Sequence, residues 1–161
     1  MLTTLRAMWS VRSKAWAAAA LVASTSPPAL ACSPIRGLDL AFTNESADLD
    51  ATSARKLGNW IADLKTDFRN YESFSIVGHV DSIELGGVGL AAARAASVRR
   101  FLTDRGFRAD RVNALEPGAS YNVPIPGLAT RAVAIDFLPA CPHQCCKLPT
   151  HKLEGSGVPM P

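Results

Sequence analysis

Leu38, Leu40 and Phe42 alternate with Asp39, Ala41 and Thr43, which predicts a half-buried strand. After the polar, turn-prone stretch 44–50, the residues Leu57, Trp60, Ile61, Leu64 and Phe68 recur at helical spacing as one apolar stripe. Asp50 or Thr52 is placed to cap that helix, and Trp60 reads as its core anchor. A second alternating run predicts a strand over 73–79. The glycine-rich loop Gly86-Gly87-Val88-Gly89 then leads to a helix over 90–104, striped by Leu90, Ala95, Val98, Phe101 and Leu102 and closed by Gly106. Strands follow over 112–115 and 132–137, separated by an aperiodic loop rich in Pro and Gly.

The order β-α-β-α-β-β predicts an α/β (α+β) two-layer sandwich, with two main helices on one face of a mixed four-stranded sheet. Its two βα crossovers argue for parallel pairing of the first strands. No internal repeat is visible. The tail, 140–161, has no period and reads as an appendage to the fold, flexible beyond Cys146.

The first 31 residues read as a signal peptide. Arg6, Arg12 and Lys14 form a positive start, 15–23 is a short apolar core, and Ala29-Leu30-Ala31 matches a cleavage pattern. The apolar run is well short of the ~20 residues a membrane-spanning helix needs, and no later run is long enough either. The expected product is an exported domain, 32–139, with its tail and no transmembrane segment. Those three basic residues are among 17 in the chain, against 14 acidic ones, so the net charge of +3 belongs to the leader. A nucleic-acid partner is disfavoured, since such binding rests on a basic footprint.

The candidate chemistry lies where the second strand meets the second helix. Asp81 and Ser82 fall in the loop, and Arg94 about one turn into the helix. Open α/β sheets commonly hold ligands in such crevices. Beside the apolar stripe, Arg94 is either lying along its own apolar stem or aimed at something specific. The pattern Gly78-His79-x-Asp81-Ser82 followed by Leu90-x-x-x-Arg94-Ala95 resembles the OmpA-like peptidoglycan-associating domain, over residues 38–137. The resemblance implies a non-catalytic periplasmic domain that holds the peptide stem of peptidoglycan. In it Asp81 would meet the ammonium of diaminopimelate and Arg94 its carboxylate, with Ser82 and Arg131 in support. It also implies a last strand returning antiparallel beside the first. The chain departs from the family pattern at Val80, Gly87 and Ala91, where threonine, asparagine and serine are usual. Its loop is about two residues short, and Thr130-Arg131-Ala132-Val133 replaces Asn-Arg-Arg-Val.

Other chemistries fit less well. His79, Asp81 and Ser82 are too close in sequence for a nucleophile, base and orienter bridged in space, and Gly-x-Ser-x-Gly is absent. The glycine series lacks nucleotide-binding spacing and a following lysine. No cofactor is implied. Cys141, His143, Cys145 and Cys146 include soft metal-ligand types, but an exported chain favours disulfides, so the expectation is no metal.

Two functional classes stand. One is peptidoglycan stem-peptide binding; the other is a protein-interaction module in a cell-envelope assembly, on the same fold. Cys32 directly follows the cleavage pattern. It is either lipidated, attaching the protein to the outer membrane, or paired. Lipidation leaves an odd number of cysteines, whereas pairing allows two bridges. By resemblance the first and last strands lie side by side, which makes Cys141 the expected partner of Cys32.

Overall fold

The computed structural model describes residues 33–147 and 157–161. The first strand, β1 (Arg36–Ala41), is followed by helix α1 (Ala51–Asp67). Asp50 caps α1, its carboxylate accepting from Ser53 N–H at 2.7 Å. Leu57, Ile61 and Leu64 are buried along the expected stripe, with Trp60 and Phe68 half-buried at its margins. The Ser53 hydroxyl donates to Ala41 O at 3.0 Å, so its burial leaves no polar group unsatisfied.

Strand β2 (Asn70–His79) leads to helix α2 (Gly87–Thr103), then β3 (Val112–Ala114) and β4 (Ala132–Pro139). The helix starts inside the glycine series, three residues earlier than its apolar pattern predicts, so Arg94 lies two turns along it. Gly78 explains how close α2 comes to the sheet. A Cβ there would fall 1.9 Å from the carbonyl oxygen of Ala91, so only glycine allows this approach.

The sheet order is β1-β4-β2-β3. Strand β4 is antiparallel to both β1 and β2, and β2 is parallel to β3. The last strand does return beside the first, as the family resemblance implies. The expected parallel pairing of the first strands holds for β2 and β3 and is corrected for β1, which runs in the same direction as β2 but is separated from it by β4. Both helices cover the face that carries Leu40, Phe74, Ile76, Val133, Ile135 and Phe137. Phe74 centres this core, its ring 5.0 Å from Phe107 and 5.1 Å from Phe137.

The sheet has a fifth strand that sequence reasoning did not find. Residues Val158–Pro159 form β5, antiparallel to Asn70 and Tyr71, and Met160 N–H donates to Arg69 O at 3.0 Å. The end of the tail is thus part of the sheet rather than an appendage. Two residues, one a proline, carry no alternation by which a strand is read.

A disulfide joins Cys141 to Cys146 around a short 3-10 turn, Gln144–Lys147, and Cys145 is disulfide-bonded as well. The expected Cys32–Cys141 bridge is therefore corrected, since Cys141 is taken by a neighbour five residues away. Cys32 itself, the predicted leader and its cleavage pattern lie outside the described residues. Among the described residues no helix is long and apolar enough to cross a membrane.

Candidate functional site

Strand β2 ends at His79, and the turn that follows is closed by Glu84 N–H donating to Asp81 O at 3.0 Å. Asp81 sits at the rim of this turn with its side chain 23% exposed. One carboxylate oxygen accepts from Ile83 N–H at 3.3 Å, with the Ser82 hydroxyl at 3.5 Å. The other accepts from the Thr130 hydroxyl at 2.9 Å, and Arg131 lies 3.7 Å away. The Thr130 hydrogen bond, the Ile83 N–H and the Arg131 charge hold the Asp81 carboxyl below its usual range, against a smaller opposing effect of burial. The structure thus brings Asp81, Ser82 and Arg131 together, and adds Thr130. The Arg131 side chain is 39% exposed and its guanidinium makes no hydrogen bond among the described residues; its buried Nε is unpartnered.

Arg94 does not join this rim. Its side chain is fully buried, with all five N–H groups engaged inside the protein. Nε donates to Ser46 O at 2.9 Å, and one terminal nitrogen donates to His79 O and Glu84 Oε2, both at 2.9 Å. The other terminal nitrogen donates to Thr43 O at 3.0 Å and to Glu84 Oε1 at 2.5 Å. Arg94 therefore offers no N–H to an open pocket shared with Asp81, which corrects the expectation that the two side chains face one cavity. Its place beside the apolar stripe reflects a specific internal partner.

That partner, Glu84, is the residue sequence reasoning missed. Its carboxylate is fully buried and receives two further N–H groups, from Asp81 at 2.8 Å and Glu45 at 2.9 Å. Leu85 N–H in turn donates to Glu45 Oε1 at 2.6 Å. The β1–α1 and β2–α2 loops are clasped together through this group. Burial alone would raise the Glu84 carboxyl. The hydrogen bonds from Arg94, Asp81 and Glu45, with the guanidinium charge, outweigh it and lower the pKa to about 2. The neighbours of Glu84 invert the usual rule, since Ile83 is 75% and Leu85 95% exposed. The one signal in the sequence is an acid flanked by apolar residues in a loop ten positions before a helix arginine.

His79 is buried on the sheet face away from the helices. Burial lowers its pKa against a smaller opposing effect of the Asp39 charge, and its Nδ1 has no partner among the described residues. Among the described residues Ser82 Oγ bonds only to Asp81, so these residues form no relay of a hydrolytic kind. In the tail, ligand atoms of Cys141, His143 and Cys146 lie within 4.8 Å of one another, with both sulfurs committed to the disulfide.

No curated protein sequence matches this chain. Several solved structures share its fold, among them the following three. The OmpA-like domain of FopA1 from Francisella tularensis subsp. tularensis SCHU S4 has a TM-score of 0.54 at 19% identity, over 65% of this chain and 73% of that one. The cell wall anchor of the T6SS from Pseudomonas aeruginosa has a TM-score of 0.52 at 18% identity, over 65% and 82%. The periplasmic domain of Helicobacter pylori MotB has a TM-score of 0.50 at 18% identity, over 66% and 74%. The sequence model of the OmpA family matches residues 41–132, from the end of β1 to the start of β4. That span is more than half of the chain and contains Asp81, Glu84, Arg94 and Arg131, and the chain belongs to the OmpA family.

Proposed function

We propose that this chain is a non-catalytic module of the bacterial periplasm that holds the stem peptide of peptidoglycan and so ties the protein to the cell wall. Family membership supports the reading, as does the likeness to a domain described as a cell wall anchor. The observation that carries it is the pairing at the rim of an ionised, oriented carboxylate, Asp81, with a half-buried arginine, Arg131, that has donors to spare. A zwitterionic amino-acid centre, as at the end of diaminopimelate, presents the complementary pair of charges. Its ammonium goes to Asp81 and its carboxylate to Arg131, by charge-assisted hydrogen bonds. Ser82 and Thr130 hold the aspartate, and Arg94 positions the loop from beneath. The second basic group of the site is thus Arg131 rather than Arg94.

Sedimentation with purified sacculi tests this. Wild type is expected to pellet with them, while Asp81→Ala and Arg131→Ala remain in the supernatant with unchanged circular dichroism. Equal pelleting of all three proteins would refute it.

A second reading, a protein-interaction module in an envelope assembly, draws on the exposed Ile83 and Leu85 side chains of the same loop. It predicts no sacculus binding by wild type. Export through the leader and any lipid on Cys32 belong to the proposal too; intact mass of the exported protein checks both.

A further inference from the structure

We propose that opening the Cys141–Cys146 disulfide turns the 3-10 turn of the tail into a site for one thiophilic divalent cation, of the zinc and cadmium class. Ligand atoms of Cys141, His143 and Cys146 already lie within 4.8 Å of one another. Metal–ligand distances of ~2.0–2.3 Å in a tetrahedral zinc site set such atoms roughly 3.5–3.8 Å apart, so little movement is required. The spacing Cys141-x4-Cys146 also falls within the range of zinc-binding cysteine pairs. With the histidine the turn supplies three ligands and leaves a fourth position to water.

The turn keeps its shape without the bridge. Ala140 N–H donates to Asn70 O at 3.1 Å and fixes the start of the turn to β2. Cys146 N–H donates to His143 O at 3.1 Å, and Cys145 N–H to His143 Nδ1 at 3.2 Å, which hold the ring and the last cysteine together. His143 N–H donates to Cys146 Sγ at 3.4 Å, a contact that steadies negative charge on that sulfur once the bridge is open. Cys145 is buried and has its own disulfide, whereas Cys141 and Cys146 are half-buried. Pro142, His143 and Gln144 line a cleft of about 490 Å³, so solutes reach the turn. Thiol exchange therefore opens the outer bridge first.

A dithiol supplies the two electrons. One of its sulfurs, as thiolate, attacks the bridge and expels the first cysteine. Its second sulfur closes on the mixed disulfide and releases the other cysteine, leaving the reagent as a cyclic disulfide and its two protons on the cysteines. The cation then displaces both protons, and the two thiolates balance its charge. Once bound, it occupies the sulfurs that would rebuild the bridge. The site lies at the end of β4 opposite Arg131 and does not depend on peptidoglycan binding.

The full chain, reduced with limiting dithiothreitol and desalted without air, would be titrated with cadmium, whose thiolate charge-transfer absorption reports sulfur ligation. Alkylation and mass mapping should find the two new thiols at Cys141 and Cys146, and one cadmium should bind per chain. Unreduced protein should give no such absorption, and Cys141→Ser should lose it. His143→Ala should weaken binding by at least about tenfold, since loss of even an outer partner of a metal ligand costs about 10–100-fold. No absorption in the reduced chain, an equal response without reduction, equal affinity in His143→Ala, or opening at Cys145 first would each overturn it. Should reduction unfold the chain, recovery of native circular dichroism on adding cadmium supports the site, and no recovery refutes it. Binding to sacculi bears only on the rim, so the two readings fail separately.

Discussion

Acid should unclasp the two loops, and the size of the effect follows from Glu84. Its carboxyl is lowered from an ordinary 4.5 to about 2 in the folded chain. A folded-state pKa below the unfolded one contributes stability that is fully present above the unfolded value, pH 4.5, and is lost as pH falls toward 2. Each pKa unit is worth about 1.4 kcal/mol, so the contribution is about 3 kcal/mol. Breaking a buried ion pair by removing one partner costs about 3–5 kcal/mol, an independent route to the same size. Glu84→Gln keeps the shape and removes the charge, so it should lose about 3 kcal/mol at pH 7. It should then show that much less destabilisation than wild type between pH 5 and pH 2. Urea melts across that range measure both quantities. Asp81 and Asp110 are also lowered and titrate in the same direction, so the difference between the two proteins isolates Glu84. Parallel pH profiles, or a loss under 1 kcal/mol at pH 7, would refute the reasoning.

Gly78→Ala places a methyl group on the Ala91 carbonyl, and the helix must move off the strand. A loss of more than about 2 kcal/mol in denaturant melts is expected, toward the upper end of overpacking costs; a neutral result would show that the approach is looser. Trp60→Ala should cost about 2–3 kcal/mol rather than the ~3–5 of a fully buried ring, because Trp60 is only partly buried at the core margin, in T-shaped contact with Phe74 and Phe137. In Cys141→Ala, alkylation mapping should find the freed thiol at Cys146; label on Cys32 instead would restore a bridge between the ends of the sheet.

Most of the fold was legible because its elements are strongly periodic. The α1 stripe and the alternation in β1, β2 and β4 all face the core as read, and Asp50 does cap α1. What failed were features without a period. Strand β5 is too short to alternate, and α2 begins among glycines that pattern reasoning assigns to a loop. The order of the strands depends on where β4 inserts, which no local signal fixes. The resemblance pointed to Asp81, Ser82 and Arg131, and the fold brings these three side chains together, whereas the direction of Arg94 was not legible. Spacing puts an arginine on a helix face but does not say whether a carboxylate from its own chain waits there. Glu84 escaped notice because a charged residue between two apolar ones in a short loop normally faces water, and here the loop is turned the other way.

The central claim, that Asp81 and Arg131 jointly grip a zwitterionic amino-acid centre, is tested most directly by an NMR titration of the full chain. The ligand is a stem peptide ending in diaminopimelate, and the control is the same peptide with lysine there, which keeps the side-chain amine but lacks its carboxylate. The account predicts amide shifts concentrated at residues 80–83 and 130–132, saturating with the diaminopimelate peptide, much weaker with lysine, and absent in Asp81→Ala. Shifts located elsewhere, or equal responses to the two peptides, would contradict it.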